Sequence, residues 1–379
     1  MRIINGKVLT MEGETFECGY VDFENGVITA LGDMASAPAY TGETVDARGG
    51  YVLPGFIDAH SHIGISEENV RWEGEDCNEM TDPVTPQLRA IDAIFPFDTA
   101  FPRASAAGVT SAVVGPGSAN VIGGQMAAIK MHGENIDEMV IKAPCAMKMA
   151  LGENPKNCYG NAKKAAPQTR MASASLMREA LIKAQRYMAK KEKDANTEYD
   201  AKCEALLPVL RGEIPAHIHC HRCDDIETAI RVAKEFGIRY NIIHTSDARR
   251  AAKYIAAADI MPVIGPLMGI SGKPETSWKS FENGAVLEQH GVEVAITTDH
   301  PVLPLEYLNI NAALCVKAGM SEQAALRALT INAAKIGGVE DRVGSLKVGK
   351  DADIAVYDGH PFEIMTRTIA VFISGARVK

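Results

Sequence analysis

The central part of the chain alternates short apolar, strand-like runs with longer polar stretches. The predicted strands cover residues 110–114, 143–151, 214–220, 240–244, 261–264 and 292–298. A long polar stretch, residues 173–210, has helical character. Alternation of strands with helices is the pattern that builds a parallel sheet covered by helices.

Both ends of the chain have a different pattern, in which short β-rich runs are separated by turns. These runs cover residues 2–8, 19–23 and 27–31 at the start and 343–350, 352–357 and 369–374 at the end. Two segments this short cannot each enclose a core, so we expect residues 1–53 and 345–379 to pair into one small β-sandwich. The remaining residues, 54–344, form the predicted central domain.

Composition and charge narrow the class of protein. Hydrophobic residues make up 46% and charged residues 23% of the chain, a balance typical of a compact soluble enzyme. The formal net charge of −9 argues against a nucleic-acid partner, which would require a basic surface. No apolar run approaches the roughly 20 residues that span a bilayer, and the N-terminus lacks the apolar region of a signal peptide. We therefore expect a cytoplasmic protein without membrane contact, whose 8 cysteines are reduced thiols.

Histidine and aspartate side chains at the ends of predicted strands indicate a metal site. His60 and His62 close the first strand-like segment of the central domain. Alternate residues of a strand point to one face, so both imidazoles can bind the same ion. His219, His244 and Asp299 follow at or near the ends of later strand-like runs. Zinc and similar ions favour nitrogen ligands, and catalytic sites keep an open position for water.

The spacing of these residues fits successive βα units. A strand, a helix and two loops use roughly thirty or more residues, which is about the separation of His219 and His244. The segment from His244 to Asp299 leaves room for one further strand. Ligands contributed by several strand C-termini point to a (β/α)8 barrel, because the active site of that fold lies at this end. The 379 residues accommodate one such barrel of about 250 residues and a smaller appendage.

Together these features resemble the amidohydrolase superfamily, and within it the imidazolonepropionase-like metal-dependent hydrolases. The resemblance spans nearly the whole chain. It rests on residues 54–62, His219, His244, residues 297–299 and the C-terminal runs 325–334 and 344–353. It implies a TIM-like barrel flanked by a composite β-sandwich, and one or two divalent metal ions with zinc as the expected metal. It also implies assembly into a homo-oligomer.

Three histidines alternate along the predicted strand 214–220 and its end. Alternation places His217, His219 and His221 on one face of that strand. The resemblance assigns the ligand position to His219. His221, nearer the end of the strand, is predicted to contact substrate or a metal-binding side chain. An ordinary hydrogen-bonded role is the alternative for His217 and His221.

For one further metal ligand the sequence leaves two candidates, Lys148 and Glu153. Alternation along the predicted strand 143–151 turns Lys148 into the barrel, where a lysine is costly unless it is paired or modified. In many members of the superfamily a lysine on this strand is carboxylated by carbon dioxide and bridges two metal ions, and Lys148 resembles it. Glu153, just past the strand, could instead supply the carboxylate directly.

A glycine-rich segment, residues 115–125, follows the predicted strand 110–114. Its glycine spacing does not match the G-x-G-x-x-G fingerprint of dinucleotide-binding proteins. We expect a loop that lets the backbone approach the substrate. Gln125 either contacts the substrate there or is part of a plain loop.

The chemistry expected of this site is hydrolysis by a metal-activated water. The ion would polarise the scissile carbonyl and lower the pKa of its bound water to roughly 7. Asp299 would bind the ion, accept the proton of the water and pass it to the leaving nitrogen. The expected substrate is a small amide, a cyclic amide or a dipeptide-like molecule. The alternatives are deamination of an amino-substituted ring and a non-catalytic barrel that serves as a scaffold.

Overall fold

The computed structural model describes the whole chain, residues 1–379. Five strands lie at the N-terminus: β1 (Arg2–Leu9), β2 (Thr15–Glu24), β3 (Val27–Asp33), β4 (Thr44–Asp46) and β5 (Tyr51–Pro54). Eight follow in the central part: β6 (Phe56–Ser61), β7 (Val109–Val114), β8 (Ile122–Lys130), β9 (Val140–Ala150), β10 (Ala216–Cys220), β11 (Tyr240–His244), β12 (Val263–Ile264) and β13 (Ala295–Ile296). Three close the chain: β14 (Ile354–Tyr357), β15 (Thr368–Ile373) and β16 (Ala376–Arg377).

Eleven α-helices lie between the strands of the central part and after its last strand. They are α1 (Ala100–Ala106), α2 (Ile136–Met139), α3 (Glu153–Pro155), α4 (Arg170–Lys193), α5 (Ala201–Leu210), α6 (Cys223–Phe236), α7 (Ala248–Ala258), α8 (Glu282–Gln289), α9 (Leu308–Lys317), α10 (Glu322–Ala328) and α11 (Ile331–Gly337). A π-helical turn, Lys156–Ala162, continues α3, and a 3₁₀ turn, Pro274–Thr276, lies between β12 and α8. None of the helices has the length and apolar character that crossing a membrane requires.

One eight-stranded sheet is built from both ends of the chain. Its strand order is β16-β15-β14-β5-β1-β2-β3, and β4 pairs with β1. Antiparallel pairing of Val52 on β5 with Val356 on β14 joins the N-terminal and C-terminal parts. The rings of Phe23 and Phe372 meet edge to face in its core, with 4.9 Å between their centroids. The prediction that the two ends pair with each other beside the barrel is confirmed, and they do so as one eight-stranded sheet where a small β-sandwich was expected.

The second sheet is a nearly closed barrel in which β6 to β13 follow one another in chain order. Strands β6 and β7 pair in parallel, as do β9 to β13. Side chains bridge the gap between β13 and β6. The backbone N–H of Thr298 donates to Asp58 Oδ2 at 3.0 Å and the Thr298 hydroxyl donates to the same oxygen, while the Thr297 hydroxyl donates to the carbonyl oxygen of His60. The predicted TIM-like barrel is confirmed.

Strand β8 departs from the predicted pattern, because it runs antiparallel to both of its neighbours. The glycine-rich segment 115–125 was expected to be a loop throughout, and this is wrong for its last residues, which begin β8 at Ile122. Gly124 has a φ of +143°, and a Cβ there would lie 2.7 Å from the carbonyl oxygen of Leu88. The glycines that made this strand look like a loop in the sequence thus allow the loop at Leu88 to approach its backbone closely.

Alternation along β9 and β10 separates the core from the barrel interior. Met147, Met149 and Ile218 are fully buried in the apolar cluster between the strands and the surrounding helices. Lys148 and His219, at alternate positions, point into the barrel. This agrees with the predicted facing of both strands.

Three predicted elements differ in length. The strands predicted over residues 261–264 and 292–298 shrink to two residues each, β12 and β13. The polar helical stretch 173–210 is two helices, α4 and α5. Asp200 begins the second of them by accepting hydrogen bonds from the backbone N–H groups of Lys202 and Cys203.

Candidate metal centre

A first group of metal-binding side chains lies at the C-terminal ends of β6 and β13. The ligand atoms of His60, His62 and Asp299 all lie within 4.8 Å of one another. Asp299 Oδ1 is 3.2 Å from His62 Nε2 and 3.6 Å from His60 Nε2. The structure thus brings two imidazole nitrogens and one carboxylate oxygen close together.

A second group lies beside the first, at the ends of β10 and β11. The ligand atoms of His219, His221 and His244 also lie within 4.8 Å of one another. The ring centroids of His219 and His244 are 4.5 Å apart, and those of His60 and His244 are 5.6 Å apart. The structure therefore places His221, expected to contact substrate or a ligand, directly among the candidate ligands.

Lys148 contacts the first group inside the barrel. Its Nζ atom lies 2.9 Å from His60 Nε2, and its side chain is 1% exposed. Burial lowers the pKa of Lys148 to about 8. At pH 7 about a tenth of this amine is then unprotonated, far more than for an ordinary lysine, and the unprotonated amine is the form that reacts with carbon dioxide.

Hydrogen bonds fix the orientation of two of the rings. His62 Nδ1 lies 2.7 Å from the carbonyl oxygen of Gly115, and His244 Nδ1 lies 2.7 Å from that of Gly265. A carbonyl oxygen can only accept, so each Nδ1 carries a proton and the Nε2 atom of each ring is left to face the site. This is the arrangement that metal-binding histidines require.

The electrostatics of the site favour a cation. Burial lowers the pKa of His219 and His221 far below the usual range and that of His244 to about 4, which leaves these rings neutral. Burial alone would raise the pKa of Asp299, but His244 and His62 lower it to about 2, so the carboxylate is ionised. Neutral imidazoles around a buried anion are a suitable environment for a metal ion.

Unpartnered buried atoms provide a test of whether a metal ion fits. Both ring nitrogens of His219 and the Nδ1 atom of His60 are buried without a hydrogen-bond partner. Such atoms cost roughly 1–3 kcal/mol each when they remain unsatisfied. His219 Nε2 faces the neighbouring rings of the second group, where a divalent ion would satisfy it. The donor set fits the nitrogen and carboxylate preferences of zinc and similar ions.

The backbone is held in an uncommon conformation at two of these positions. His244 has a φ of 83° and Asp299 a φ of 54°, both in the left-handed region that residues other than glycine rarely adopt. Such conformations cost about 1–3 kcal/mol and concentrate at functional sites. The surrounding barrel therefore supports strain that positions both side chains.

The two groups open onto a cavity of about 600 Å³. Its lining is largely polar and includes Asn78, Ser118, Asn154, Lys273 and Lys279 together with the metal-binding side chains. Cavities of ~300–1,000 Å³ are typical of sites for small molecules.

Two of the predicted site residues do not join the ligand groups. The Glu153 carboxylate accepts a hydrogen bond from the backbone N–H of Glu275 at 3.3 Å and lies in neither group. Gln125 lies on β8, where its side-chain nitrogen is 3.5 Å from the carbonyl oxygen of Pro86, and it does not line the cavity. The substrate contact predicted for Gln125 does not agree with this placement, because its side chain faces the neighbouring loop.

Glu275 is a buried carboxylate at the site that sequence reasoning missed. Its Oε1 atom lies 3.7 Å from His219 Nε2 and 3.8 Å from His221 Nε2. The one available signal was its place in the loop that follows the short predicted strand 261–264, on the side of the barrel where active sites form.

Comparison with known proteins agrees with this geometry. The model of the amidohydrolase family Amidohydro_3 matches residues 201–377. An amidohydrolase of solved structure from Thermotoga maritima is 42% identical, with a TM-score of 0.95 over 100% of this chain and 99% of that one. The chain belongs to the amidohydrolase family. As a family member it is a metal-dependent hydrolase that acts on C–N bonds.

Two curated relatives extend the comparison. Amidohydrolase tasK from Hapsidospora irregularis is 29% identical over 94% of this chain, but the chain spans only 39% of that protein's length. Imidazolonepropionase from Mesorhizobium japonicum is 25% identical over 93% of this chain and 89% of its own. The resemblance to imidazolonepropionase-like hydrolases is confirmed.

Proposed function

We propose that this amidohydrolase hydrolyses the C–N bond of a small amide, cyclic amide or dipeptide-like substrate. The observation that carries the proposal is the meeting of two groups of buried ligand atoms at the floor of one small-molecule cavity. A divalent ion bound there, with zinc as the expected metal, would supply Lewis acidity toward the scissile carbonyl and a water of lowered pKa.

His60, His62 and Asp299 would hold one ion, and His219 and His244 a second. Lys148, carboxylated on Nζ, is the candidate to bridge the two, because its buried amine lies 2.9 Å from His60 Nε2 and its strand pairs with the strand that carries His219. Glu153 is the weaker candidate for this bridge, since its carboxylate is engaged by Glu275.

Asp299 would transfer the proton. Its carboxylate is ionised and lies at the cavity floor beside His62. It can accept the proton of the attacking water and then donate it to the leaving nitrogen, which allows the C–N bond to break without expelling an amide anion.

The test is a substrate screen with the metal retained, comparing the wild-type protein with Asp299→Asn. We expect amide or cyclic-amide hydrolysis, detected as new carboxylate, and a loss of about 10²–10⁴-fold or more in kcat for the variant. Retained turnover in Asp299→Asn would contradict the role of Asp299. Release of ammonia from an amino-substituted ring, without a new carboxylate, would instead identify a deaminase.

A further inference from the structure

Glu275 reaches the second group of histidines from a loop rather than from a barrel strand. It lies in the 3₁₀ turn Pro274–Thr276, between β12 and α8, and its side chain is 1% exposed. Its Oε1 atom faces His219 Nε2 and His221 Nε2, at 3.7 and 3.8 Å. Donor atoms that bind one ion at about 2.0–2.1 Å lie roughly 3–4 Å from each other, so these separations suit a shared ion.

The carboxylate is fixed in place by its other oxygen. Glu275 Oε2 accepts a hydrogen bond from the backbone N–H of Glu153 at 2.7 Å, and the backbone N–H of Glu275 donates to Glu153 Oε2 at 3.3 Å. A Cβ added at Gly152 would lie only 2.7 Å from Glu275 Oε2. This reciprocal pair anchors the loop to the turn after β9 and directs Oε1 toward the histidines.

The charge of Glu275 is neutralised by one lysine. Lys273 Nζ lies 2.8 Å from Glu275 Oε1 as an ion pair and also donates to Asn154 Oδ1 at 2.7 Å. Oε1 itself receives no hydrogen bond of good geometry. A buried carboxylate requires a compensating positive charge, and Lys273 is the cation that contacts Oε1. Lys273 therefore occupies the role that a metal ion could fill.

We propose that Glu275 is a ligand of the second ion and completes a four-membered set with His219, His221 and His244. This inference rests on the proposed function only in requiring that a divalent ion binds. Nitrogen and carboxylate oxygen are donors that zinc favours, and the carboxylated Lys148 would be a fifth ligand of this ion. When that ion binds, it replaces Lys273 as the counter-charge of Glu275, and the lysine ammonium becomes free to face the cavity.

The experiment measures metal content and metal affinity, by elemental analysis and by competition with a chelator, for the full-length protein. Glu275→Gln is expected to weaken binding of the second ion by more than about 100-fold, beyond the roughly 10–100-fold that loss of an outer hydrogen-bond partner costs. The ion held by His60, His62 and Asp299 is expected to remain. In the cobalt-substituted Glu275→Gln variant, the absorption bands of the second ion should be lost and those of the first should remain.

Lys273→Met is expected to change the affinity for the second ion in the opposite direction. Removing the ammonium that competes for Glu275 should tighten binding of the second ion, whereas a purely structural role of the ion pair would leave the affinity unchanged or weaken it. Glu75→Gln is the control, because Glu75 lines the cavity but lies in neither ligand group and accepts from the Ser66 hydroxyl at 2.8 Å. Its metal affinities should match those of the wild type.

The outcomes separate the two proposals. Two ions of unchanged affinity in Glu275→Gln would overturn the role of Glu275 and leave the proposed function intact. Absence of metal from the wild-type protein after reconstitution would overturn both proposals.

Discussion

At the scale of single residues, the surroundings of Lys148 and Asp299 lower the pKa of both side chains, with opposite effects on their charge. Burial lowers the pKa of Lys148 to about 8, which makes its neutral amine more available near neutral pH than that of an exposed lysine. Asp299 is less enclosed, with a side chain 15% exposed, and the neighbouring His244 and His62 outweigh the effect of burial and lower its pKa to about 2. The site thus combines an amine that can be carboxylated with a carboxylate that stays ionised.

Lys148→Met is predicted to remove the bridging ligand while preserving the length of the side chain. We expect the metal content to fall by about half, because each ion would lose a shared ligand. Lys142→Met is the control, since Lys142 lies on the same strand but contacts the carbonyl oxygen of Gly338. Depletion of carbon dioxide should lower the metal content of the wild type, and bicarbonate should restore it; insensitivity to both would contradict carboxylation of Lys148.

Residue patterns explain which ligands the sequence could identify. His60, His62, Lys148, His219 and Asp299 all lie in or next to strand-like runs, where alternation alone decides which side chains face inward. Glu275 escaped prediction because its position depends on the hydrogen bonds that its loop makes to the turn after β9. Contacts between two loops leave no periodic signal in the sequence.

At the scale of elements, closure of the barrel depends on side chains where β13 meets β6. Asp58 is fully buried and accepts hydrogen bonds from the backbone and hydroxyl of Thr298. These bonds fix the strand end that carries Asp299. Their effect is therefore to position the Asp299 carboxylate as well as to join two strands.

Thr298→Val is predicted to lower the free energy of unfolding by about 1–3 kcal/mol, because the buried Asp58 carboxylate loses a hydroxyl donor. Urea denaturation measures this difference. Thr110→Val is the matched control: its hydroxyl is buried without a partner, so the same change should be neutral or stabilising. Equal effects of the two substitutions would contradict a specific role for the Asp58–Thr298 bonds.

The start of α5 provides a second prediction at this scale. Asp200 caps the helix, and the Lys183 ammonium and the Cys203 backbone N–H hold its pKa down at about 2. Asp200→Ala should lower the free energy of unfolding by about 0.5–2 kcal/mol.

The effect of Asp200→Ala should depend on pH. The pKa of Asp200 is lower in the folded than in the unfolded protein, so its stabilising contribution is complete above about pH 4 and is lost as the pH falls through about 2. Denaturation at several pH values would show the difference from wild type shrinking with acid. Glu198→Ala, an exposed change in the same loop, should have little effect at any pH.

Element lengths and directions were the least predictable part of the fold. The start of strand β8 was not predicted, because Gly123 and Gly124 are typical of a loop. Gly124 is needed in the strand because the backbone of Leu88 approaches it closely. Strands β12 and β13 are shorter than their apolar runs, since only two residues of each pair with neighbours. Local pattern indicates that a strand exists, whereas partner strands decide where it ends and in which direction it runs.

At the scale of the whole molecule, the two ends of the chain combine into one sheet beside the barrel. Pairing of β5 with β14 places the end of that sheet directly before β6, the strand that carries His60. This large-scale arrangement followed from the sequence because short β-rich segments at both ends had no other way to bury their apolar faces. The barrel followed from the spacing of ligands at strand ends.

The central claim is that two adjacent groups of side chains bind metal at the floor of the cavity. The most direct test is elemental metal content per chain, on protein purified without added metal and without chelator. We predict about two divalent ions per chain, as a bridged binuclear site requires. A count of about one would reject the bridge through Lys148, and a protein that binds no metal even after reconstitution would contradict the claim.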